Sequence, residues 1–364
     1  MLTQGRRKVR RGNALPPLGS RGRKVHPLCE YPGTMGLLQR FARPEYKLGP
    51  DQEERKEPDP ERQPEAGPQT EPAQVAPLDS SAQEGGGGVN GNGLSPDTGS
   101  GPQVQQTQPL TGQARVFAFA NQKGGVAKTT TTLNLAVALA ESGHRVLAVD
   151  MDPQGNLTMS QGIDPDTVEK SMYHVLVDNL SIREVIRKRE VDIACASIDL
   201  AGAEIAMSTK IGRERSLEKA LKAVRDDYDF VCIDTPPSLG LLTINALTAA
   251  DKVIVPVQCE YLSMRGLIQL QNTLSMIREE LNPDVEIEGI LPTLVDARTV
   301  HAKEAIEILE ENFGDRVFAT RIRKTIRFAE APVKGTSVLK YDPDGSAAES
   351  YRDLAKEVLE HVRR

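Results

Sequence analysis

The segment RVFAFANQKGGVAKTTTTLNLAVALA, residues 115–140, constrains the fold more than any other stretch. An apolar run, Arg115–Ala120, passes through a glycine-rich turn straight into a helical pattern over Thr129–Ser142. Glycines let backbone N–H groups close around an anion, and a helix N-terminus adds partial positive charge at the same point. Downstream, short apolar runs alternate with long amphipathic ones, the pattern of an α/β domain with a parallel sheet. Further strands are predicted at Arg145–Asp150, Asp192–Ala196, Phe230–Asp234, Lys252–Val257, Val285–Leu291 and Arg316–Ala319. The intervening helices are predicted at Arg213–Asp226, Leu239–Ala249, Ser263–Leu281, Ala302–Phe313 and Ala347–Val362. VLAV and VIVPV read as the near-continuous apolar runs that strands buried on both faces require. The expected fold class is α/β, a single doubly wound and mostly parallel sheet without internal repeats, over residues 113–364.

Ahead of that domain the texture differs. Residues 1–47 hold 11 Lys/Arg against two acids, and 48–112 turn acidic and rich in Pro, Gly and Gln. Such a segment cannot bury enough apolar surface to offset the entropy of ordering, so a long disordered extension is expected over 1–112. Its basic head reads equally well as a contact for nucleic acid and as a solvated tail. MGLLQRFARPEY, from Met35, is a short amphipathic stretch that leaves an internal start open there. Four cysteines, Cys29, Cys195, Cys232 and Cys259, are too few and too far apart for a disulfide framework or a CxxC site. No apolar run approaches the ~20 residues that span a bilayer, and no apolar h-region follows the basic N-terminus. A cytoplasmic protein is expected. The domain carries 31 basic and 38 acidic side chains, so it could touch DNA only through a local basic patch.

In the loop itself, Gly124, Gly125, Val126, Ala127, Lys128, Thr129 and Thr130 are the candidates for phosphate contact. Lys128 would reach the outer phosphates and Thr129 would offer its hydroxyl to Mg²⁺. The generic GxxxxGK[ST] spacing is not met, since its glycine positions fall on Gln122 and Ala127. The deviant form KGGxGK[ST] fits in all but Ala127, with Lys123 as its additional lysine. If the backbone needs positive φ at Ala127, its methyl group costs stability. In VLAVDMDPQGNLT, Asp150 ends a strand and Asp152 follows, which puts both carboxylates at the sheet edge where doubly wound folds bind ligands. DYDFVCIDTPPSLG ends a further strand on Asp234, a carboxylate suited to hold Mg²⁺ through water.

These motifs, with VPVQCEYLSMRGL and RFAEAPVKGTSVLKYDPDGSAAESY, resemble the ParA/Soj partitioning ATPases of the MinD-like deviant Walker A group over about 113–364. The resemblance implies an ATP-sandwich dimer in which Lys123 crosses to the partner's phosphates, with Asp152 required for hydrolysis. It implies a slow, partner-stimulated ATPase with Mg²⁺ as cofactor and a metal site drawn from Thr129, Asp150 and Asp234. It also implies nonspecific, nucleoid-associated DNA binding through Arg298 and Arg327, with a ParB-type centromere-binding protein as partner and no membrane. Adenine contacts would fall on Arg323 and Thr325, which replace the Pro and Asn common in relatives. Arg321, Arg323 and Lys324 crowd the same stretch, RIRKTIR, as a basic patch.

Two rival readings follow from the residues. A nicotinamide-binding Rossmann protein would need GxGxxG and would leave Lys128, Thr129 and Asp234 without roles. A MinD-type positioning ATPase on a membrane or a protein cargo would want a basic, bulky apolar C-terminal helix. SYRDLAKEVLEHVRR instead places Leu354, Val358 and Leu359 at core-like spacing, which predicts a helix packed on its own domain.

Overall fold

A computed structural model describes residues 112–259, 263–296 and 298–363, with backbone alone for 263–265. The expected extension therefore lies outside the described residues except for Gly112. Seven strands form one sheet: β1 Arg115–Phe119, β2 Val146–Asp150, β3 Ile186–Lys188, β4 Asp192–Ala194, β5 Phe230–Asp234, β6 Lys252–Gln258 and β7 Glu286–Thr293. Their order is β3-β4-β2-β5-β1-β6-β7. All pairings are parallel except β3 with β4 at one edge. Helices follow as α1 Lys128–Glu141, α2 Asn156–Met159, α3 Met172–Val177, α4 Ala203–Ala206, α5 Ser216–Leu221 and α6 Leu241–Ala249. The chain continues through α7 Ser263–Glu280, α8 Val300–Phe313, α9 Arg327–Val333, α10 Val338–Tyr341 and α11 Ser346–Arg363.

Alternate side chains of each central strand feed two separate cores, one on each face of the sheet. Phe117, Phe119, Phe230 and Ile254 pack with Leu135 and Leu139 of α1 and with Tyr351, Leu354 and Val358 of α11. Val116, Ala118, Val231, Ile233 and Val255 pack the other way, against Leu221, Ala246, Leu270 and Ile277. This two-sided burial is why these strands carry so few polar residues.

Several elements depart from the sequence expectation, and the short helices α2, α3, α4, α9 and α10 have no predicted counterpart. Arg316–Ala319 is not a strand: a 3₁₀ turn covers Gly314–Arg316, and Val317 makes a single bridge to Ile290. Arg213–Asp226 is not one helix, because a 3₁₀ turn over Arg213–Arg215 precedes α5, which stops at Leu221. Asp226 and Asp227 would put negative charge on the negative end of a longer helix. The edge strand β3, sequence IRK, is new. It is mostly exposed, so no apolar alternation marks it.

Candidate nucleotide site

Four side chains from two strand ends and one helix meet at the C-terminal edge of the sheet. Asp150 and Asp234 end β2 and β5, where they are register partners. α1 starts beside them, and Thr129 Oγ1 donates to Asp234 Oδ2 at 2.7 Å. Thr132, one turn on, stands 3.3 Å from Asp234 Oδ1. The loop is pinned from its neighbours: Asn121 Nδ2 donates to Pro256 O at 2.8 Å and Thr293 Oγ1 to Val126 O at 3.0 Å. Gly125 takes φ 71° with nothing within 4 Å of where a Cβ would sit. Ala127 also lies in the left-handed region, at φ 63°, ψ 35°.

The electrostatics are those of a site built for charge from outside. Burial raises Asp234 well above the usual carboxylate range, and its neighbour Asp150 adds to the effect. Burial depresses the Lys128 ammonium, while Asp234 and Asp152 act in the opposite sense. Asp150 is pushed up to about 6 by complete burial, despite its hydrogen bonds. Hydroxyl and carboxylate oxygens of this kind suit a hard cation such as Mg²⁺. Among the described residues no group of three or more His, Cys, Asp or Glu could hold a metal.

Asp150, expected as a metal ligand, is placed differently. Oδ1 accepts from Asp152 N at 3.1 Å, and Oδ2 accepts from Thr158 N and Oγ1 at 2.9 and 2.7 Å. Its position thus shapes the turn that carries Asp152, whose Oδ1 accepts from Gln154 N at 3.0 Å.

A cavity of about 470 Å³ opens over the loop, lined by Gly124, Gly125, Ala127, Lys128, Thr129 and Thr130 and by Asp152. Part of its wall away from the loop comes from Leu294, Phe328, Ala331, Pro332, Thr336 and Val338, residues the sequence reading did not single out. The only sequence signal for all of them but Leu294 was their place within the late motif RFAEAPVKGTSV. Arg323 and Thr325, expected at the adenine, are not among the lining residues. Val295 bridges Arg323 in parallel, which carries that segment past the cavity before α9 turns back to it. Arg323 instead borders a separate hollow with Glu349 and Asp353.

The basic stretch is also less basic than its sequence. Arg327 pairs with Glu330 at 2.8 Å and Asp342 at 3.2 Å. Arg321 pairs with Glu310. Arg298 is exposed on the loop before α8, its N–H donating to Asp296 Oδ1 at 3.1 Å. Lys123 is half-buried at the mouth of the loop, where its carbonyl lies 3.5 Å from Lys128 Nζ.

An AAA domain family model matches residues 114–287. The chain is 49% identical over 247 residues to the sporulation initiation inhibitor protein Soj of Bacillus subtilis, covering 67% of this chain and 98% of that one. It is 42% identical over 254 residues to the chromosome partitioning protein ParA of Caulobacter vibrioides, covering 68% and 95%. A solved structure described as cobyrinic acid a,c-diamide synthase of Mycobacterium smegmatis, with bound ADP and magnesium, superposes with TM-score 0.62 at 42% identity, covering 69% and 96%. With the P-loop geometry above, the Soj and ParA relatives decide the matter: the chain belongs to the ParA/Soj family of P-loop ATPases.

Proposed function

We propose that the protein is a DNA-segregation ATPase. It binds ATP with Mg²⁺ at Gly124–Thr130, dimerises across the nucleotides and holds DNA irrespective of sequence in that state. A ParB-type centromere-binding protein then releases it by stimulating slow hydrolysis. The observation that carries this reading is the meeting of Lys128, Thr129 and Asp152 at one end of a single cavity, with Asp234 buried behind Thr129 and bonded to it. Phosphoryl transfer asks a protein mainly to position groups and to stabilise charge. Lys128 sits where phosphate oxygens would compensate its burial, and the loop N–H groups supply further donors. Asp152 faces the same space and would orient the attacking water. Bound Mg²⁺, held by the Thr129 hydroxyl and through water by Asp234, would neutralise phosphate charge. Lys123 is assigned to the partner subunit's phosphates.

For DNA, Arg298 carries the larger share in this reading. Phosphate contacts at Arg327 must compete with Glu330 and Asp342. Contacts of this type give affinity and salt dependence but no sequence readout.

The testing experiment combines calorimetry with fluorescence anisotropy on a random duplex. Lys128→Ala is expected to abolish tight ATP binding. Arg298→Glu is expected to keep ATP and lose DNA, more severely than Arg327→Glu. Unchanged ATP affinity in Lys128→Ala overturns the nucleotide site. Equal gain in DNA affinity with ADP and ATP, or a strong preference for one sequence, overturns the segregation reading.

A further inference from the structure

Away from the glycine loop, the cavity wall of Leu294, Phe328, Ala331, Pro332, Thr336 and Val338 is mostly apolar. Such a surface suits the flat face of a nucleobase rather than a phosphate. What fixes this wall lies behind it, on a single carboxylate in the turn between β3 and β4. Glu190 Oε1 accepts from Thr336 Oγ1 at 2.5 Å and from Ser337 N at 3.0 Å, and its Oε2 accepts from Ser337 Oγ. Ser337 is buried and also caps α10, accepting from Lys340 N. From the inner side, Val338 N donates to Asn134 Oδ1 of α1 at 2.8 Å. The wall is therefore hung between α1 and the β3–β4 turn.

Glu190 is tied to another part of the lining as well. Its own N–H donates to Gln161 Oε1 at 3.2 Å. Gln161 follows directly on Ser160, which lines the cavity with Gln154 and Asn156. The backbones touch with no slack, since a Cβ on Gly335 would come within 2.8 Å of Gly162 Cα.

We propose that Glu190 is a positioning residue for nucleotide affinity, holding the base-side wall in register with the Asp152 turn. The inference rests on reading the cavity as an ATP site. With Gln161 Nε2 at 3.5 Å from Oε1, the carboxylate accepts four donors, and such charge-assisted bonds are about twice as strong as neutral ones. Glu190→Gln keeps the size but removes the charge and turns one acceptor into a donor facing donors. Nothing in the loop Gly124–Thr130 contacts it.

The test uses the full chain, titrating ATP and inorganic tripolyphosphate, each with Mg²⁺, into wild type and Glu190→Gln. The variant should bind ATP about tenfold more weakly. Its affinity for tripolyphosphate should stay unchanged, which also reports an intact fold. Steady-state hydrolysis should show KM raised by the same factor and kcat within about twofold. Adding Ser337→Ala to Glu190→Gln should cost less than Ser337→Ala alone, because both remove the same contact. Loss of both ligands together, no loss of ATP, or full additivity of the two substitutions overturns the proposal. Failure of wild type to bind either ligand is a separate result, and it removes the ATP reading itself.

Discussion

At the scale of single residues, the most informative position is Ala127. It stands where the deviant loop pattern has glycine, and its φ of 63° lies in the left-handed region. An L-residue there costs roughly 1–2 kcal/mol, part of which glycine returns through its own unfolded-state entropy. Ala127→Gly is therefore expected to stabilise the nucleotide-free protein by about 1 kcal/mol, read from urea denaturation midpoints. A loss of stability would mean that the methyl group makes compensating contacts. That Lys128, Thr129, Asp152 and Asp234 come together was legible, because each closes a motif attached to a strand end. Asp150 was legible at its strand end beside Asp234 but not in its hydrogen bonds. Its oxygens are claimed by Thr158 and by the Asp152 amide, a pairing across eight positions that no motif encodes. That Arg323 and Thr325 do not line the cavity was not legible for a similar reason: which side of a loop faces a cavity depends on where α9 folds back, and a local pattern does not contain that.

Among elements, α11 decides between a helix that lies on a bilayer and one that belongs to the core. Leu354 and Val358 are fully buried and Leu359 is 8% exposed, packed against α1 and the sheet. Tyr351 adds a hydroxyl contact to Thr131 at 3.3 Å. Among the described residues no helix is long and apolar enough to cross a membrane. Leu354→Ala should cost about 3 kcal/mol, as in other buried leucine truncations. Wild type should not sediment with anionic vesicles, whether or not ATP is present; nucleotide-dependent sedimentation would revive the membrane reading. The long helices and the buried strands were readable because periodicity and unbroken apolar runs report burial directly. β3 was not, since an exposed edge strand of three residues has no buried face to mark. The bridge at Val317 misled in the opposite way, with strand-like residues supplying one pairing instead of a ladder.

For the whole molecule, the sheet order sets how the site assembles. The cavity is open above Gly124 and Gly125, both of which are exposed. Closure by a second copy predicts that Asp152→Ala with ATP and Mg²⁺ accumulates as dimer, whereas wild type cycles between dimer and monomer. Light scattering that finds only monomer in both proteins would remove the sandwich from the account. The fold class was legible at this scale because strand and helix patterns alternate. The sheet order was not, because non-neighbouring strands pair through contacts that no local window contains. That order has a consequence in time. β1 pairs with β5 and β6, whose residues come more than a hundred positions later in the chain. At ~5–20 residues per second of synthesis, VFAFA waits on the order of ten seconds for its neighbours. Val126, in the glycine loop, waits longer still, for Thr293 at the end of β7. A nascent chain interrupted before β7 would carry every letter of the phosphate-loop motif and still lack the pin that holds the loop in place.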